Sequence, residues 1–141
     1  MRTDFYLLST ENLEERDHFA CRLVEKAFLA QHTLYIATDT NEQASAFDQL
    51  LWTFRADSFI PHSLTSHCQS AKVTPILIGD AQTTSSSEMW IHLSTQLPPA
   101  QLQCQRLIEI IPKIPALQEM ARQRFRHYRE LGYTLQTHNV N

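Results

Sequence analysis

Arg122, Arg126 and Arg129 stand at i, i+4 and i+7, so on a helix their three guanidinium groups share one face. A planar guanidinium makes two directed bonds to a carboxylate, which suits this face to holding an acidic peptide. The bland alternative is a solvated face with arginines near the favourable C-terminal end of a helix. Charge distribution sharpens the choice without closing it. Residues 113–130 carry five basic and two acidic side chains, whereas residues 1–112 carry seven basic and thirteen acidic ones.

A second concentration of chemistry runs from Leu51 to His62 and holds Trp52, Phe54, Phe59 and Pro61. Its aromatic residues lack a clean period and follow the end of a helical pattern. Two readings stand side by side: completion of a core, or aromatic anchors of a protein interface around Trp52 and Phe59.

Catalytic and cofactor chemistry finds little purchase. The first strand-to-helix turn, Leu8-Ser9-Thr10-Glu11-Asn12, has no glycine, and the chain has only Gly79 and Gly132. A dinucleotide fingerprint needs glycines for its tight turn, and a P-loop needs a glycine-rich cradle with a Lys-Ser/Thr pair. Glu11 and Glu14 would also repel phosphate from the start of the helix. Ser9 is not in a nucleophile elbow, mid-helix Cys21 reads as a buried thiol, and Cys104 has no histidine partner nearby. Asp39 with Glu42 reads as helix-start acids. His62, His67 and Cys68 could ligate a metal only with a distant fourth ligand, and adjacent His-Cys is not a usual spacing. No catalytic residue, metal or cofactor is therefore expected.

Elements that would position these residues follow from apolar periodicity. Phe5-Tyr6-Leu7-Leu8 is a strand apolar on both faces, as in a buried parallel sheet. A helix capped by Thr10 runs to about Ala30, with Phe19, Ala20, Leu23, Val24 and Ala27 facing inward. A strand follows at Thr33–Thr38, then a helix capped by Asn41 with Ala44, Phe47, Leu50 and Leu51 inward. Trp52–Leu64 is an irregular or edge segment, Ser63–Thr74 a polar loop, and Thr74–Gly79 a strand. Asp80–Glu88 reads as a mobile loop, with strands at Met89–Ser94 and Leu107–Ile111. The last helix starts near Pro115, buries Leu117, Ala121, Phe125 and Tyr128, and stops at Gly132 before a short strand at Tyr133–Gln136. The order spells a layered α/β fold in one domain, residues 1–141.

The 141 residues, 43% hydrophobic and 19% charged, have the balance of a globular chain, with a formal charge of −3 that argues mildly against wrapping DNA. Three widely spaced cysteines suit a reducing compartment. With no signal-peptide pattern and no long apolar run, the expected location is cytoplasmic and no membrane contact is expected.

The run Leu50-Leu51-Trp52-Thr53-Phe54-Arg55-Ala56-Asp57-Ser58-Phe59-Ile60-Pro61-His62-Ser63-Leu64 resembles the most distinctive motif of the chi subunits of DNA polymerase III. Phe5–Leu8, Ala20–Ala27, Pro75–Gly79 and Ala121–Tyr133 match in family order, so the resemblance covers nearly the whole chain. It implies a three-layer α/β/α fold with a mostly parallel sheet, Rossmann-like but without a nucleotide-binding loop. It also implies a non-catalytic replisome adaptor that pairs one-to-one with the psi subunit of the clamp loader. The second implied partner is the acidic C-terminal tail of single-stranded DNA-binding protein, so that contact with DNA is indirect. Carried onto this chain, the psi-facing surface includes Trp52, Phe54, Phe59 and Pro61. The tail site centres on Arg122, with Ile111, Phe125 and Arg126; Gln118 stands where the family often has lysine. Competing classes are a divergent nucleotide-utilising or hydrolase enzyme, suggested by fold class alone, and a direct single-stranded nucleic-acid binder using the arginine face.

Overall fold

The computed structural model describes residues 1–54, 60–64, 75–81, 87–99, 102 and 104–140. Seven strands, β1 (Arg2–Leu8), β2 (Leu34–Thr38), β3 (His62–Leu64), β4 (Ile76–Asp80), β5 (Met89–His92), β6 (Arg106–Ile111) and β7 (Thr134–Val140), form one sheet. Its order is β3-β4-β2-β5-β6-β1-β7, and every pairing is parallel. Helices α1 (Leu13–Leu29) and α2 (Asn41–Thr53) cover one face, and α3 (Pro115–Glu130) covers the other. The architecture is a three-layer α/β/α fold.

Alternation along the strands divides the core in two. Ile36, Ile78, Ile91 and Ile108 meet Val24 of α1 and Phe47 and Leu51 of α2. Phe5, Tyr35, Trp90, Leu107 and Ile111 point the other way, toward Ala121 and Tyr128 of α3. Central β2 is buried at all five positions, which is why it reads as an unbroken apolar run.

The helix starts correct the expected caps. Asn12, not Thr10, caps α1: its side-chain oxygen accepts from Glu14 N–H at 2.7 Å and Glu15 N–H at 3.4 Å. Thr10 Oγ1 instead accepts from Asn12 N–H at 3.1 Å. Thr40, not Asn41, caps α2 through Gln43 N–H at 3.1 Å. In each case the capping oxygen sits on the residue that keeps an extended backbone just before the first turn. Trp52 also falls inside α2 rather than beyond it, because the backbone ladder continues to Phe54 N–H. His62–Leu64 forms an edge strand within the segment expected to be irregular or at an edge, and it takes in Ser63 and Leu64, expected in a polar loop, because they pair with Leu77 and Ile78 of β4.

The end of α3 sets the direction of the chain into β7. Gly132 takes φ +84°, its N–H donates to the Arg129 carbonyl at 3.0 Å, and Tyr133 N–H donates to the Tyr128 carbonyl at 3.1 Å. These two bonds make a Schellman stop, and stacked Tyr128 and Tyr133 rings, 5.7 Å apart, supply its hydrophobic contact. β7 then runs for seven residues, longer than the short strand expected at 133–136. On the other sheet face, buried Asp4 binds Arg106 of β6 and accepts from His138 of β7 at 2.9 Å. Burial opposes its ionisation, but these hydrogen bonds and the charges of Arg106 and Arg2 outweigh it and hold the carboxyl below its usual pKa.

Candidate functional site

The last helix, the first strand and the last strand enclose a groove of about 410 Å³. Phe5, Leu7 and Ile111 form its apolar floor; Gln118, Ala121, Arg122, Phe125, Arg126 and Arg129 line the α3 wall, and Thr137 the β7 wall. All four residues expected at a tail site, Ile111, Arg122, Phe125 and Arg126, therefore meet in one place. The helical period explains the wall. Ala121 and Phe125 lie against the sheet, with the Phe5 and Phe125 rings 5.6 Å apart, while Arg122, Arg126 and Arg129 are exposed beside them.

The three arginines are not equivalent. Arg122 Nη1 lies 3.0 Å from Glu119 Oε2, with both side chains more than half exposed. Arg126 and Arg129 make no ion pair among the described residues and are the groove's available cations. An apolar floor beneath available guanidinium groups can hold a ligand that is both aromatic and anionic.

Arg124 stands apart from the other arginines of α3. It is buried, donating to Glu109 Oε1 at 2.9 Å and to the carbonyls of Ser94 at 2.7 Å and Gln96 at 3.2 Å. Tyr128 donates to the other Glu109 oxygen at 2.6 Å, and burial together with that carboxylate's charge pushes its hydroxyl pKa up. This network bolts α3 to β6 and to the chain after β5, fixing the groove wall. Asp39, read from the sequence as a helix-start acid, anchors the same region: it accepts from Ser94 Oγ at 2.6 Å and Thr95 N–H at 2.9 Å. Burial opposes its ionisation, but the bonds from Ser94 and Thr95 prevail and its pKa is lowered.

At the opposite end of the sheet, Trp52 is 43% exposed on the last turn of α2, and its ring lies 4.4 Å from that of His62. Phe54 packs in part against the α1–α2 core and Pro61 is half-buried, so the core and surface readings divide between neighbours. Phe59 lies outside the described residues, as do His67 and Cys68. Both ring nitrogens of His62 already have partners, the Ile60 carbonyl at 2.6 Å and the Asp48 carbonyl and carboxylate at 3.2 Å. Burial drives the Cys21 thiol to about 12 and the Cys104 thiol to about 11, far from a reactive thiolate. Among the described residues, no helix is long and apolar enough to cross a membrane.

Phe5, Leu7, Ala121 and Thr137 belong to the groove but were not among its expected residues, and Arg129 was expected as part of the arginine face but not of the tail site. Leu7 was legible from β1 alternation and Arg129 from helical spacing. Thr137 was not, because the expected strand stopped before it.

Comparison with known proteins agrees with the motif reading. A sequence model of the DNA polymerase III chi subunit, HolC, matches residues 1–136. A Pseudomonas aeruginosa protein named DNA polymerase III subunit chi is 34% identical over 140 residues, covering 99% of this chain and 96% of its own. Proteins of the same name from Haemophilus influenzae and Escherichia coli are each 27% identical, covering 96% and 94% of this chain, and 95% and 94% of their own. This chain belongs to the DNA polymerase III chi subunit family.

Proposed function

We propose that this chain is a non-catalytic adaptor of the replisome with two protein-binding surfaces. One, around Trp52, Phe54, Phe59 and Pro61, takes the psi subunit and so joins the clamp loader. The other is the groove of Ile111, Arg122, Phe125 and Arg126, which takes the acidic C-terminal tail of single-stranded DNA-binding protein. The observation that carries the reading is the convergence of these four residues on one apolar-floored, cationic groove. Membership of a family whose relatives are named as polymerase subunits supports the setting.

In this reading the terminal ring of the tail lies on Phe5, Leu7 and Ile111, and its carboxylates meet the arginines. Arg129 joins Arg122 and Arg126, offsetting the charge missing at Gln118.

The test is a titration with the tail peptide, with and without its terminal Phe, beside a bare oligonucleotide. The adaptor reading expects peptide binding that needs the terminal Phe and fails in Arg126→Ala. Equal binding of both peptides would overturn the role given to the terminal ring, and tighter salt-sensitive binding of the oligonucleotide would replace the adaptor reading with direct nucleic-acid binding.

A further inference from the structure

β7 ends the sheet, and its outer edge pairs with no other described strand. Two bonds fix which of its backbone groups face inward. Thr134 N–H donates to the Met1 carbonyl at 3.0 Å, and the Val140 carbonyl accepts from Ser9 N–H at 3.2 Å. Successive residues of a strand direct their N–H and C=O groups to opposite sides. Thr134, Gln136, His138 and Val140 therefore turn toward β1, and Leu135, Thr137 and Asn139 turn their donors and acceptors outward.

The same parity sets the side chains. His138 and Gln136 lie on the face where they meet Asp4 and Arg2. Leu135 packs into the α3-side core and Thr137 lines the groove. The outward backbone groups thus adjoin the wall of the groove that holds Arg126 and Arg129. Exposed edges are usually blunted by lysine, proline or a bulge. β7, Thr-Leu-Gln-Thr-His-Asn-Val, has no lysine or proline and pairs in unbroken register from Thr134 to Val140.

We infer that β7 is a docking edge on which an extended acidic peptide adds an eighth strand. The peptide's aromatic end sits in the groove, and the segment before it bonds to Leu135, Thr137 and Asn139. The inference rests on the reading of the groove as an acidic-tail site and gives that tail a backbone register. Main-chain pairing would supply affinity, and the groove specificity. Charge favours this occupant over a second copy of the chain. Joining two β7 edges about a two-fold axis normal to the sheet would set two arginine-lined grooves side by side.

The experiment uses the full chain and an acidic ten-residue peptide ending in Phe, together with analogues N-methylated at one backbone nitrogen each. Edge pairing predicts a period of two. Methylation at alternate nitrogens should weaken binding at least tenfold, and methylation between them should change it less than twofold. Hydrogen exchange of the Leu135, Thr137 and Asn139 amides should slow on binding, while that of Gln136 and His138 stays unchanged. If every methylated peptide binds equally but Arg126→Ala still weakens binding, the edge inference is wrong and the groove reading stands. If the parent peptide does not bind, the groove reading falls and takes the inference with it. Dimers whose Leu135, Thr137 and Asn139 amides lose protection on dilution would overturn it in favour of a second copy.

Discussion

Glu119 Oε2 lies 3.0 Å from Arg122 Nη1, one turn away on α3, so the protein's own carboxylate occupies an arginine at the groove where an acidic ligand would bind. With both side chains more than half exposed, the pair contributes little to stability. It would compete with an incoming anion for Arg122. Glu119→Gln is expected to tighten binding of the acidic tail peptide by roughly two- to fivefold, the scale of an exposed ion pair. Calorimetric titration of both proteins at equal salt is the check, and unchanged or weaker binding would show that the pair does not compete.

Arg124 answers to different physics. Removing it leaves Glu109 buried with one of its two cationic or hydroxyl donors gone and two carbonyls less satisfied. Arg124→Met should cost about 3–5 kcal/mol in urea unfolding, as for other broken buried pairs. Combining it with Glu109→Leu should recover more than half of that loss, since the uncompensated charge disappears. No recovery would mean that the bonds to Ser94 and Gln96 carry most of the effect.

His92 gives the fold a pH dependence with a definite sign. The Trp90 indole N–H donates to His92 Nδ1 at 3.2 Å, and an indole cannot accept. His92 is thus neutral with its proton on Nε2, donated to the Gln96 carbonyl. Burial, aided by the Arg124 charge against the opposing Glu109 charge, lowers its pKa from 6.5. The unfolded chain takes up the proton first as pH falls, so this contribution is complete above about 6.5 and declines below it, by at most roughly 1.4 kcal/mol per pH unit. Denaturation curves at pH 7.5 and 5.5 should show a smaller difference for His92→Gln than for the parent. Equal differences would remove His92 as the source.

Trp52 should separate folding from binding. It is 43% exposed, whereas its ring partner His62 is buried. Trp52→Ala is expected to cost about 1 kcal/mol or less in stability but more than about 2 kcal/mol in affinity for the psi subunit. Thermal melts beside a binding titration decide between them; a stability loss above about 3 kcal/mol would return Trp52 to the core.

Gly132 holds the turn between the two walls of the groove. A Cβ there would meet nothing within 4 Å, so the cost of Gly132→Ala comes from the positive φ alone. About 1 kcal/mol of destabilisation is expected. A neutral result in chemical denaturation would mean that the turn relaxes without strain.

The sequence was most legible where one residue type serves one purpose. Phe5–Leu8 and Leu34–Ala37 are apolar on both faces because helices cover both sides of the sheet. Arg122, Arg126 and Arg129 share a face because the helix repeats every 3.6 residues. Arg124 was illegible because its burial depends on Glu109 and on two loop carbonyls distant in the chain. The far half of β7 was illegible for a related reason. Its polar alternation carries no strong strand signal, and pairing with β1 over its full length decides its structure. The Trp-to-His run was legible as a family motif, while its division into exposed Trp52 and partly packed Phe54 depends on where α2 ends.

The strand order has a mechanical consequence. β3 and β7 close opposite edges, and six inter-strand steps of about 4.8 Å set those edges roughly 29 Å apart. A sheet braced on both faces by helices is stiff across that span. Under the proposed adaptor reading it would act as a spacer bar with a grip at each end, keeping two guests apart. Where both guests belong to one assembly, binding at one grip would confine the other guest to a small volume, so that a weak second contact would act at a high local concentration.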